Sequence, residues 1–210
     1  MRRPMYARRF SSAGFSLLEV LISMLIVMVG LLGLAGMQAR AQIAELESYQ
    51  RAQALVLLYD MSDRMNNSRT TSSCFVSAAS KYYGDTANPP ALACSASNAA
   101  DQAMAIASMT AWHDLLQGAG ETKSVGGGVT KVGAMIGARG CVTYDSATEY
   151  LNTSSVAIGG TGEFTLMVSW QGMADTFAPT KTCGTAALYG SDAKRRTVWA
   201  TMRVGTLATR

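Results

Sequence analysis

One carboxylate in this chain lies where an ionised group is costly. Glu19 belongs to an apolar run that extends from Phe15 to Met37. These 23 residues are enough to cross a hydrocarbon core of about 30 Å. An acidic side chain inside such a segment usually serves a function and has a partner, which predicts that a cation reaches Glu19.

The basic residues near this run lie on its N-terminal side. Four arginines precede Gly14: Arg2, Arg3, Arg8 and Arg9. Clustered arginines stay cytoplasmic, which predicts that the chain after the apolar run is outside the inner membrane. The small-residue junction Ala13-Gly14 precedes the apolar run, whereas the cleavage site of a secretory signal follows it. Cleavage after Gly14 would create an amine at Phe15, one helical turn from Glu19.

The remaining candidates for chemistry do not indicate an enzyme. His113 is the only histidine, so it allows no multi-histidine metal site, and beside Trp112 on a predicted helix it is typical of a structural residue. The run Gly126-Gly127-Gly128 lacks the Gly-Lys-Ser/Thr of a P-loop and predicts a flexible turn. We predict no catalytic residue, metal or cofactor, and a carboxylate-only site is the remaining enzymatic alternative.

Four cysteines follow the apolar run: Cys74, Cys94, Cys141 and Cys183. An even number in an exported domain favours disulfides, and no C-x-x-C spacing is present. Three pairings are open. We favour Cys74–Cys94 and Cys141–Cys183, which close the shortest loops, of about 20 and about 42 residues.

The positive charge of the chain lies in its first residues. The net charge is +4, and cleavage after Gly14 removes four arginines, so the side chains of the remainder balance to zero. No excess charge is left for nucleic acid. The cluster Lys194-Arg195-Arg196 is interpreted as a solvated turn, with contact to an acidic partner surface as the alternative.

The segment Gly14-Phe15-Ser16-Leu17-Leu18-Glu19-Val20-Leu21 resembles the type IV prepilin signal. The resemblance implies that a prepilin peptidase and N-methyltransferase cleaves between Gly14 and Phe15 and methylates Phe15, and that Glu19 takes part in assembly. We hypothesise that the new amine neutralises Glu19, on its own or a neighbouring subunit, and so sets the axial register. The alternative is a snorkelling or protonated glutamate without a partner.

Helical periodicity continues beyond the membrane segment. Residues 38–66 contain no proline or glycine and carry an apolar stripe: Ile43, Leu46, Gln50, Ala54, Leu57, Leu58, Met61 and Met65. This predicts one helix of about 50 residues, of which 15–37 is the transmembrane half and 38–68 the amphipathic half. Gly30, Gly33 and Gly36 permit close helix approach and weaken the helix locally.

The rest of the chain, residues 69–210, is predicted to form a globular head. An irregular connection covers residues 70–100, and a short helix covers about 101–117, with Asp101 as N-cap and Gly118 as its stop. Candidate strands are 132–136, 141–145, 163–171 and 197–207. The predicted fold class is α+β: a long N-terminal helix on an antiparallel sheet of about four strands, with a second short helix. The pilin family has this form.

The layout after the signal resembles that of minor pilins. This resemblance implies a structural subunit that helps to initiate type IV pilus assembly with other minor and major pilins, at or near the tip beside an adhesin. The subunit would wait in the inner membrane with a periplasmic head and reach the cell surface in the pilus. The alternatives are a pseudopilin of type II secretion and a membrane-anchored periplasmic binding domain.

Overall fold

The computed structural model describes residues 14–96, 98–133 and 135–205. They divide between Glu45 and Leu46 into two compact units. The leader arginines Arg2, Arg3, Arg8 and Arg9 and the predicted strand end at 206–207 lie outside the described residues.

The first unit contains the start of helix α1, which runs from Leu17 to Asn67. All side chains of residues 14–45 are exposed within the chain. The helix is continuous through Gly30, Gly33 and Gly36, and no other group lies within 4 Å of the Cβ position of any of them. This helix is long and apolar enough to cross a membrane.

In the second unit, the remainder of α1 buries one face. Ala54, Leu58, Met61 and Met65 are buried at spacings that place them on one side of the helix. The C-terminal part of the predicted apolar stripe therefore packs into the core. Leu46, in its N-terminal part, is 51% exposed. A 3-10 helix, Arg69–Phe75, follows α1 directly.

Helix α2 extends from Ala99 to Leu116 and begins earlier than predicted. Its N-cap is Asn98, whose side chain accepts a hydrogen bond from the backbone N–H of Ala100. The prediction of Asp101 as N-cap was therefore wrong. Asp101 lies in the first turn, where its carboxylate accepts from Thr70 Oγ1 at 3.1 Å. The helix ends as expected before Gly118, which has a φ of 92°.

Five strands form two sheets in the part of the chain that the structure describes. Strands β1 (Thr122–Val125) and β2 (Gly128–Lys131) form an antiparallel hairpin. Strands β3 (Arg139–Asp145), β4 (Glu163–Gln171) and β5 (Arg195–Arg203) form an antiparallel sheet with β4 in the centre. A short helix α3, Ala186–Tyr189, precedes β5.

The α+β prediction is confirmed, but the number of strands in the main sheet differs. The described residues of the predicted strand 132–136 are not a strand. Instead, Val132 N donates to Glu121 O and Gly133 N donates to Gly118 O, so this segment returns to the end of α2. The predicted flexible turn at 126–128 is the tight turn of the β1–β2 hairpin, with positive φ at Gly126 and Gly127.

Helices and sheet share one hydrophobic core. It combines the buried face of α1 with α2 and the inner face of the main sheet. Trp112 of α2 is central, because its Nε1 donates to Leu57 O at 2.8 Å and its ring meets Tyr83 edge to face. The disulfide Cys74–Cys94 ties the irregular segment after α1 to this core, whereas Cys141–Cys183 forms a second, smaller buried cluster with Met167. The structure thus has the pairing with the shortest loops.

Candidate functional site

The residues before α1 form a capped helix start. Ser16 precedes the first helical residue, and the backbone N–H of Glu19 donates to Ser16 Oγ at 3.2 Å and to Ser16 O at 3.1 Å. Serine at the N-cap with glutamate three residues later is the capping-box pattern. An acidic residue in the first turn also interacts favourably with the helix dipole. Sequence reasoning missed this local role of Glu19, although Ser-x-x-Glu signals it.

The position of Phe15 differs from the prediction. The prediction of the Phe15 amine one helical turn from Glu19 assumed a helix through both residues, but α1 begins at Leu17 because Ser16 is its cap. Within the described residues, Gly14 and Phe15 are both exposed, and no other group lies within 4 Å of the Gly14 Cβ position. Cleavage of the bond between them stays a prediction. Pairing of a new amine with Glu19 stays a prediction.

The polar side chains Ser23 and Glu19 of the apolar run differ in their hydrogen bonding. Ser23 Oγ donates to the backbone oxygen of Val20 at 2.8 Å, so its hydroxyl is paired within the helix. Within the described part of the chain, no side chain forms a hydrogen bond or ion pair with the Glu19 carboxylate. Because an unpaired carboxylate in lipid is costly, a partner for Glu19 from processing or from a neighbouring subunit stays a prediction.

His113 has the surroundings of a structural residue. It is 9% exposed, its Nδ1 accepts a hydrogen bond from Gly84 N at 3.1 Å, and its Nε2 lies 2.8 Å from the side-chain amide of Gln117. Burial lowers the pKa of the imidazole, because desolvation disfavours the charged form. The neutral ring thus links α2 to the loop that contains Gly84.

The basic cluster at the start of β5 is not a solvated turn, so that interpretation was wrong. Arg195 is 4% exposed, pairs with Asp192 and donates to Gly184 O. Arg196 Nη2 pairs with Glu47 of α1 at 3.2 Å. Both guanidinium groups are paired with acceptors in the fold. The acceptors at Gly184 and Glu47 are distant along the chain, so local sequence does not predict these contacts.

Comparison with known families identifies the N-terminal segment. Residues 9–35 match the model of the prokaryotic N-terminal methylation motif. The chain carries a type IV prepilin-like signal. This match supports a subunit of the pilin or pseudopilin type, and it implies processing by prepilin peptidase. Together with the apolar start of α1, it fits membrane anchoring before assembly. Searches of curated proteins and of solved structures give no match.

Proposed function

We propose that the chain is a minor pilin of a bacterial type IV pilus, a non-catalytic subunit that helps to initiate assembly. The observation that carries this proposal is the methylation motif at residues 9–35, which contains the exposed residues Gly14, Phe15 and Glu19. A long α1 and an antiparallel sheet in the second unit are consistent with a pilin fold.

Sequence features of the head favour a minor pilin. The end of α2 at 112–117, strand residues 142–145, the segment 165–175 and the cluster 194–196 resemble the minor pilin PilV. These motifs are less specific than the signal. They support a place among the subunits that start a pilus, at or near its tip and beside an adhesin, with effects on twitching motility and cell adhesion.

The proposed mechanism is noncovalent after processing. Hydrolysis of the Gly14–Phe15 bond removes the leader, and methylation modifies the amine of Phe15. The apolar part of α1 stays in the inner membrane until helices of neighbouring pilins replace its lipid contacts. The Phe15 amine then neutralises Glu19 of its own or a neighbouring subunit, and this pairing fixes the axial position of the subunit.

N-terminal sequencing of the protein from cells that contain prepilin peptidase tests the processing step. We expect Phe15 as the first residue, carrying an N-methyl group. A Gly14→Val variant is expected to retain the leader and migrate more slowly on a gel, because the residue at the cleaved bond is changed. An Ala13→Ser variant serves as the matched control. Normal mobility of Gly14→Val would contradict the proposal, and a different first residue would indicate an ordinary membrane anchor.

A pseudopilin of type II secretion would share all the N-terminal chemistry. Deletion of the gene separates the two functions, because loss of a minor pilin reduces piliation and twitching motility while secretion continues. Loss of protein secretion with normal pili would assign the chain to the secretion system. Co-purification from the same cells then identifies the pilin-like partners.

A further inference from the structure

The two edges of the main sheet differ in their hydrogen bonding. At the β3 edge, Gly140 exchanges two backbone bonds with Tyr83, each of 2.9 Å. Next to them, Val142 O accepts from Ser77 N at 2.8 Å. Residues 77–83 therefore cover that edge. At the other edge, β5 pairs with β4 over nine residues and with no further strand of the described chain.

The direction of the outer backbone groups of β5 follows from its register with β4. Gly172 N donates to Lys194 O at 2.8 Å, one step beyond the end of that register, whereas Gln171 N donates to Ile136 O on the opposite side of β4. In an antiparallel pair, bonded and non-bonded positions alternate, so every second residue of β5 points both its N–H and its C=O away from β4. These residues are Thr197, Trp199, Thr201 and Arg203. Their backbone groups form no hydrogen bond with another element of the described chain.

Strand β5 lacks the features that usually prevent an edge from accepting another strand. Such features are proline, a bulge, charged side chains along the edge or a very short strand. β5 has nine residues in an uninterrupted register, and residues 197–202 contain no proline and no charge. The inward cation Arg196 is neutralised by Glu47 at 3.2 Å. Trp199 is 50% exposed at the middle of this edge. The edge is therefore competent to pair with an extended segment.

A second copy of the chain does not suit this edge. Head-to-tail pairing of copies would need a free β3 edge, and residues 77–83 cover it. Two-fold pairing of β5 with itself would place the two sheets in opposite directions. Subunits of one filament share a direction, so the exclusion of the two-fold pair rests on the proposed function. The geometry then leaves a strand from a different protein.

We propose that the β5 edge binds an extended segment of another protein, which adds a fourth strand to the main sheet. The outward N–H and C=O groups of residues 197–203 would hold the main chain of this segment, as in other cases of β-strand addition. Side chains that the segment places beside Trp199 would pack on its half-exposed ring. At the end of the edge, an acidic residue is favoured over a basic one, because Arg203 forms no ion pair in the described part of the chain.

Hydrogen exchange at single amides, followed by mass spectrometry, tests this pairing. The full chain in detergent micelles is measured twice: produced alone, and purified with its bound proteins from cells that contain prepilin peptidase. The outward amides of 197, 199, 201 and 203 should exchange at least about tenfold more slowly in the complex than in the chain alone. The amides of 198, 200 and 202 point to β4 and are the internal control, since they should be protected in both samples.

A proline variant tests the same groups by removal. Thr201→Pro removes one outward N–H and keeps the bonds to β4, because proline is tolerated where an edge N–H faces solvent. Recovery of bound protein with Thr201→Pro should fall at least about tenfold. Thr201→Val keeps the N–H and the branched shape, so it should behave as the wild type. The alternating exchange pattern of the wild-type chain decides the proposal even where Thr201→Pro perturbs the fold.

Several outcomes would overturn the proposal. They are rapid exchange of the outward amides in the complex, protection of these amides in the chain alone, purification without any bound protein, and a complex that contains only copies of this chain. Unprotected amides in a complex with pilin-like proteins would overturn the edge pairing and leave the proposed function in place. Protection of the alternate amides by a protein of another kind would support the edge pairing and contradict the proposed function.

Discussion

At the residue scale, the chain holds two ionisable groups in contrasting surroundings. The backbone N–H of Glu19 is capped by Ser16 at the start of α1, and the side chain of Glu19 is exposed in an apolar segment. His113 is buried and hydrogen-bonded at both ring nitrogens. We predict that the carboxylate of Glu19 gains its partner from processing or from another molecule, whereas His113 already has hydrogen-bond partners within the fold. Only the role of His113 can be tested on the isolated chain.

The stability of the second unit should decrease as pH falls below about 6.5, the ordinary pKa of histidine. Burial lowers the pKa of His113 in the folded chain, so between the two pKa values the unfolded chain binds more protons. Protonation therefore favours unfolding in that range. We expect the temperature midpoint of thermal unfolding, followed by near-UV circular dichroism, to decrease as the pH is lowered from about 7.5 to about 5.5.

The variant His113→Asn isolates this effect. Its side-chain oxygen can accept from Gly84 N but does not titrate, and His113 is the only histidine in the chain. The variant should show a much flatter dependence of the midpoint on pH over the same interval. An unchanged slope in His113→Asn would assign the acid sensitivity to other groups.

At the element scale, the contact between α2 and β3 depends on a glycine. A Cβ at Gly140 would lie 2.1 Å from Cη2 of Trp112 and 2.7 Å from Cδ1 of Leu116. Gly140 also exchanges two backbone hydrogen bonds with Tyr83, each of 2.9 Å, so β3 cannot move away freely. The indole therefore packs directly on the strand backbone, and this fixes α2 against the sheet.

Gly140→Ala should lower the free energy of unfolding by about 3 kcal/mol, because overpacking of a well-filled core forces side chains and backbone to shift. Chemical denaturation of the full chain in micelles, followed by tryptophan fluorescence, measures the change. Gly159→Ala is the matched control, since nothing lies within 4 Å of its Cβ position, and its effect should stay within about 0.5 kcal/mol. Equal stabilities of the two variants would contradict the packing.

The elements differ in how far local sequence predicts them. The alternation in 163–171 identifies β4, and the run without glycine or proline after Gln38 identifies the end of α1. The β1–β2 hairpin gives no such signal, because its strands have four residues each and every described side chain in them is exposed. Asn98 caps α2 ahead of the expected Asp101, and nothing nearby in the sequence distinguishes the two.

The functional residues also differ in whether local sequence predicts them. The prepilin-like signal is contiguous, so Gly14, Phe15 and Glu19 are recognisable without a structure. The contact of Arg196 with Glu47 joins residues that are 149 positions apart, and no local pattern predicts it. Because the acceptor of Arg196 is so distant along the chain, local sequence indicates a solvated turn at 194–196, whereas the structure shows an ion pair.

At the scale of the whole molecule, the disulfides hold the irregular segments. The Cys141–Cys183 bridge spans 42 positions and the Cys74–Cys94 bridge spans 20. In the chain-entropy model, each stabilises the fold by about 3 to 4 kcal/mol, and the longer loop gives the larger effect. A double variant, Cys141→Ala with Cys183→Ala, should therefore unfold at lower denaturant than Cys74→Ala with Cys94→Ala. The reverse order would show that native contacts of the loops outweigh chain entropy.

The proposed incorporation of the subunit into a pilus involves the whole molecule, and substitutions of Glu19 test it. Glu19→Ala should be processed normally, because the cleaved bond is unchanged, but its amount in sheared pili should fall at least about tenfold. Glu19→Gln should behave in the same way, since it keeps a hydrogen-bonding group but no charge to pair with the Phe15 amine. Immunoblots of pilus and membrane fractions measure both quantities. Ser23→Ala removes a polar group already satisfied within α1 and is the matched control. Wild-type incorporation of Glu19→Gln would show that charge pairing does not set the register, and wild-type incorporation of Glu19→Ala would leave the carboxylate with only its role at the helix start.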